Sequence, residues 1–279
     1  MFQTIPYLKK LDGMSLNDKD KEEDTETIMT KEFVMSAINS TITPPEAGTK
    51  HAVGLSNDGT KEESLRSQGD DWERSSTISN SHGSSNPEVL IINHQKIKVI
   101  RNLEDFTNIR RLLLIDNMIE RIQGLENCKV LEELSLEKNK ISRIEGLSHL
   151  QYLKKLDLGS NKICVIENLE GLDNLTQLSL EDNEIDTLSG LDTLINLMEF
   201  YIGNNCLTNI KQIIQLKKLP KLIILDISGN EISRERLYIV YHLKKKLKVL
   251  DGISIEQTEI QQSNEMFAGR LTDEILESR

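Results

Sequence analysis

Cysteine is scarce in this chain. Cys128, Cys164 and Cys206 are the whole supply, an odd number and widely spaced. No CxxC pair and no histidine cluster accompanies them, so neither a zinc site nor a disulfide framework is expected, and three reduced thiols are. Aromatic side chains are also few, with five Phe, five Tyr and one Trp. No apolar run approaches the roughly 18 residues of a membrane span. The opening MFQTIPYLKKLDG has no continuous apolar stretch of the kind an export signal needs. Positive charge is in deficit, 34 basic against 45 acidic residues and a net charge of −11. Nucleic acid and membrane surfaces demand cationic patches, so neither is expected as a partner. A soluble, cytoplasmic protein is the expectation.

The chain changes character near residue 86. Residues 1–86 hold 12 Ser, 9 Thr, 15 acidic and 9 basic residues. Stretches such as NDKDKEEDTE (17–26) and SSTISNSHGSSNP (75–87) bury too little apolar surface to offset the entropy of ordering, so a mostly disordered acidic linker is expected over 1–86. Within it KEFVMSAI (31–38) reads as a short helix with no partner face nearby. The remaining 193 residues carry nearly all the Leu and Ile, and a folded array is expected over 87–255, with a cap helix and tail over 256–279.

That array is a repeat. RLLLIDNMIERIQGL (111–125), ELSLEKNKISRIEGL (133–147), KLDLGSNKICVIENL (155–169) and QLSLEDNEIDTLSGL (177–191) share the pattern LxLxxNxIxxIxxL. The anchors Asn117, Asn139, Asn161, Asn183 and Asn205 are 22 residues apart, and Asn230 follows after 25. Gln95 takes the anchor position in VLIINHQKIKVIRNL (89–103), which makes seven repeats. Each LxL is a short strand with its leucines inward. Each Asn is placed to satisfy backbone groups where the chain turns away. One repeat cannot bury its own apolar face, so seven stack into an α/β solenoid. One parallel sheet is expected to line its concave side.

These residues resemble the leucine-rich repeat family, in particular its 22-residue class, typified by a regulatory subunit of protein phosphatase 1. The resemblance covers about 88–255 and implies a 3₁₀ or irregular convex side and a C-terminal helical cap. It implies a module that binds another protein through the concave sheet, or, alternatively, a phosphatase regulator. YIVYHLKKKLKVLDGISIEQTEI (238–260) is similar to the capping segment of this class. Ile255, Ile260, Met266, Phe267 and Leu271 suit a helix folding back on the array. A second copy of the cap pattern, Leu8-x-x-Leu11-Asp12-Gly13, is expected to be the remnant of an upstream cap at 6–16, which would make the sequence either a piece of a longer protein with tandem arrays or the product of a truncated gene. With FAGRLTDEIL (267–276), this layout is similar to large family members with several tandem arrays and an association with cilia. A ciliary or cytoskeletal location, or a spacer role in a longer protein, is implied on that ground.

Strand alternation nominates the concave residues. The apolar end is Val89, Ile91, Leu113 and Ile115, either a partner site or a surface covered by residues 75–87. The acidic middle comprises Glu133, Glu137, Asp157 and Glu181, with Asp226 further along, either a solvated face or a steering field for a basic partner. Tyr201 is the one aromatic in the central column and the best anchor. Seven strands make a strip of about 30 Å, enough to grip a helix or loop. The histidines are scattered, and no P-loop, GxGxxG or GxSxG occurs. No catalytic residue, metal, cofactor or small-molecule substrate is expected.

Overall fold

The computed structural model describes residues 28–42 and 87–268. The expected cap remnant at 6–16, the stretch 75–86 and Leu271 lie outside the described residues.

The period of 22 produces one strand per repeat. These are β1 (Val89–Ile91), β2 (Arg111–Leu113), β3 (Glu133–Ser135), β4 (Lys155–Asp157), β5 (Gln177–Ser179), β6 (Glu199–Tyr201) and β7 (Ile224–Asp226). They pair in sequence order, in parallel and with no register slip, so that Leu90, Leu112, Leu134, Leu156, Leu178, Phe200 and Leu225 form one inward row. That row and the later IxxIxxL residues merge into one continuous core, from Met29 to Leu250. The three residues inserted between Asn205 and Asn230 are absorbed on the convex side, where Ile210–Lys218 forms a 3₁₀ segment held inward by Ile213 and Leu216.

The anchor asparagines link repeats as well as finishing turns. From Asn117 to Asn230 each Oδ1 accepts the amide of an apolar residue in the preceding repeat, and each Nδ2 donates to a carbonyl there, at 2.8–3.1 Å. The turn that aims the side chain requires a left-handed residue just before it. Asp116, Lys138, Ser160, Asp182 and Asn204 all adopt φ of 51–55°, and before Asn230 the position is Gly229 at 71°. A side-chain-bearing residue pays about 1–2 kcal/mol for that conformation, and the buried amide bonds offset it.

Both ends are closed. At the far end, α2 (Arg236–Leu243) leads into β8 (Val249–Leu250), parallel to β7. Asp251 and Gly252 then turn the chain at positive φ into β9 (Ile253–Ser254), which runs antiparallel and terminates the sheet. After β9, α3 (Gln257–Phe267) folds onto α2. Phe267 meets Tyr238 edge-on at 5.5 Å, and Arg236 Nε donates to Glu259 Oε1 at 2.6 Å. Ile255 and Ile260 pack against the core as the sequence suggested, whereas Met266 is exposed.

The near end differs from the sequence expectation. KEFVMSAI has a partner: α1 (Lys31–Ile42) lies beside β1 and joins the core through Val34 and Ile38, with Met29 just ahead of the helix. Its apolar face has no period in common with the array, so nothing in the pattern pairs it with a repeat that starts more than forty residues later.

Candidate concave binding face

Residues either side of each inward leucine project from the inner side of the sheet, as strand alternation requires. The structure sorts them into three zones.

The first zone is the apolar end, and it is less open than the sequence suggested. Ile91 is 37% exposed, but Leu113 is 7% and Ile115 is 8% exposed. Register places Leu113 between Ile91 and Ser135, and side chains on the inner side of a curve converge on one another. Leu113 and Ile115 nevertheless stand apart from the continuous core. They form a separate apolar layer on the concave side.

The second zone is a charge ladder along the rim where the strands begin. Arg110 and Lys154 both bind Glu132, the latter at 2.6 Å, and Arg111 Nε donates to Glu133 Oε2 at 2.7 Å. The lysine and arginine hold the Glu132 carboxyl below its ordinary value. Glu133 is therefore already paired with Arg111 and contributes no free charge to the acidic middle. The 22-residue steps Arg110–Glu132–Lys154 and Arg111–Glu133 carried this signal in the sequence.

The third zone is where the strands end. Glu137 contacts Lys138 at 2.7 Å. Asp157 accepts from the Gly159 amide at 3.0 Å and from Ser135 Oγ at 3.4 Å, yet burial, seconded by Glu137, raises its carboxyl above the usual range. Glu181 is the most perturbed acid: burial first, then Asp226, Asp182, Asp157 and Glu137, push it up to about 7. The charges that push it up are neighbouring carboxylates. Gly159 and Gly203 flank Glu181 in its own column, and the room their missing side chains leave is taken up by Asp157 and Ser179 on one side and by Ser228 and Asp226 on the other. Asp226 accepts from the Ser228 amide at 2.9 Å. Beside it Tyr201 is half-buried and donates to Glu199 Oε2 at 3.0 Å, and burial, then Glu199, raise its phenol.

Sequence reasoning missed an apolar shelf at the starts of the last strands, across Tyr201 from this acidic zone. Met198 is 37% exposed, and Ile223, Ile224 and Val249 are half-buried on the rim and sheet next to Glu199 and Tyr201. The signal was present in the columns: where repeats two to four carry Arg, Glu and Lys, the last strands carry Ile and Val.

No group of three or more His, Cys, Asp or Glu among the described residues could hold a metal ion, and no described helix is long and apolar enough to cross a membrane.

A family model for the leucine-rich repeat matches residues 132–278, more than half of the chain. The chain belongs to the leucine-rich repeat family. Among curated relatives, the U2 small nuclear ribonucleoprotein A' of Arabidopsis thaliana is 35% identical over 74 residues, 25% of this chain and 29% of that protein. The chain thus matches less than a third of that relative's length. Among solved structures, a leucine-rich repeat protein of Leptospira interrogans is 26% identical, covering 55% of this chain and 40% of that one, with a TM-score of 0.48. An internalin of Listeria monocytogenes is 24% identical, covering 58% and 52%, with a TM-score of 0.43. Leucine-rich repeat arrays as a class mediate protein–protein interactions, commonly through the concave face.

Proposed function

We propose that the array is a non-catalytic scaffold that seats a basic, partly apolar segment of another protein on the far half of its concave face. One observation carries the reading: at the strand ends Glu181 is pushed up by burial and by Asp226, Asp182 and Asp157, and Tyr201 lies between that acidic zone and the Met198–Ile224–Val249 shelf at the strand starts. The ladder acids Glu132 and Glu133 have their cations already. A lysine or arginine entering beside Glu181 relieves that repulsion, while apolar neighbours on the same segment cover the shelf and Tyr201. A phosphate backbone on this face meets carboxylates instead, which disfavours direct RNA binding despite the ribonucleoprotein relative. The test is cross-linking capture with the full chain and with a Glu181→Lys/Tyr201→Ala variant whose melting curve is unchanged. Partners bound by the first and lost by the second support the reading; the same partners on both would remove it.

The finer assignments rest on resemblance. The tandem layout and tail phrase are similar to leucine-rich repeat-containing protein 9, and on that basis we propose a cytoplasmic protein with a place in the cilium, tested by imaging the tagged chain in ciliated cells. Regulation of a Ser/Thr phosphatase is the alternative. The concave acids favour it, and Tyr201, as the one aromatic of the central column, speaks against it. Activity of a phosphatase catalytic subunit that does not change on adding this chain would dismiss that alternative.

A further inference from the structure

Among the described residues no repeat precedes β1, and α1 covers its edge. Val34 and Ile38, four residues apart on one helix face, are buried together with Met29. Three polar contacts set the pose. Asn102 Nδ2 donates to the Met29 carbonyl at 2.5 Å, with Asn102 itself held at φ 61°. Lys31 Nζ lies 2.8 Å from Asp105 Oδ2. Thr30 Oγ1 caps the helix by accepting the Phe33 amide at 3.1 Å. The edge therefore recognises a short amphipathic helix by apolar spacing, by a carbonyl at its start and by a cation one step on.

The covalent path between helix and edge does not dictate that they belong to one molecule. Residues 43–86 separate α1 from the array, 44 residues with an extended reach of about 150 Å. A twelve-residue helix is marginal by itself in water, so α1 owes its order to the edge on which it docks. Any copy of that edge offers it the same contacts.

We propose that the N-terminal edge of the array is an acceptor site for an amphipathic helix and that residues 29–38 are its exchangeable ligand, passing between copies of this chain to form reciprocally capped dimers. All contacts are conserved in the exchange, so the balance is set by concentration. Joining two groups in one chain supplies an effective local concentration of about millimolar at most, lower as the joining segment lengthens, so a dilute chain caps itself, and dimers accumulate as protein approaches millimolar. This site is at the end of the solenoid and stands or falls apart from the concave reading.

The test uses the full chain with the exposed Cys164 and Cys206 replaced by serine. One copy carries Lys31→Cys, and a second, of different mass, carries Asp105→Cys. The two are mixed over a concentration series and treated with a short bis-maleimide. A cross-linked product of the two masses that rises with concentration is the expected result. A chain carrying both cysteines, treated when dilute, should close on itself. Self-closure with no mixed product at millimolar protein would show that the helix does not exchange. Failure to close at all would show that the helix does not occupy the edge. Either result overturns the proposal.

Discussion

Asn161 accepts the Ile141 amide through Oδ1 at 3.0 Å, a bond that crosses the interface between two repeats. The same side chain donates to the Leu136, Leu158 and Gly159 carbonyls, each at 3.0 Å. Asn161→Leu leaves the Ile141 amide without its acceptor, while the Leu136, Leu158 and Gly159 carbonyls keep donors in Asn139, Asn183 and Lys138, so with one buried group unsatisfied we expect a loss of about 1–3 kcal/mol. Urea unfolding of the two chains measures it. An unchanged midpoint would mean that the turns hold without the ladder.

Glu181 makes stability fall as pH rises. Its carboxyl titrates near 4.5 when unfolded and about 7 when folded, so the folded chain holds the extra proton between those values. Stability contributed by that proton is present at low pH and is lost through pH 4.5–7. The group is half-buried, and after discounting for solvent screening the effect is on the order of 1 kcal/mol. Glu181→Gln should therefore raise the melting temperature at pH 8 and leave it nearly unchanged at pH 4. Equal shifts at both pH values would contradict the assignment.

The same proton links pH to the proposed partner. A cation seated beside Glu181 prefers the ionised carboxylate, so affinity should climb from pH 6 to pH 8 and flatten in the Glu181→Gln chain. Titration calorimetry in two buffers of different ionisation enthalpy reads the released proton directly.

Leu113→Arg tests the apolar layer. With the side chain 7% exposed, a buried guanidinium without a partner should cost about 2–3 kcal/mol. A normal melting curve would place Leu113 on an open surface instead.

Gly190 has φ of +85°, and a β-carbon there would come 2.0 Å from the Ile166 carbonyl oxygen. Backbone cannot yield as a flexible side chain does, so Gly190→Ala should destabilise by about 3 kcal/mol or more. Thermal unfolding decides it.

The solenoid was legible because its signal repeats. A leucine at Leu134 is ambiguous alone, but with Leu112 and Leu156 at 22-residue steps it defines a strand, a register and an inward face. Features made once were not legible. Met29, Val34 and Ile38 belong to no period, and their partner is an edge far along the chain. Exposure on the concave side depends on curvature, which no linear pattern encodes, so Leu113 reads as open in the sequence and is buried in the fold. Glu133 reads as a free acid until its neighbour one repeat back, Arg111, is placed against it.

The reversal at Asp251–Gly252 gives the array unequal prospects for growth. Coils between β1 and β7 meet neighbours of the same kind on both sides, so an additional 22-residue coil spliced among them would find a parallel strand and an asparagine ladder waiting. Beyond β9 the chain runs the other way and offers neither. New coils can be written into the middle of this molecule, but not appended to its finished end.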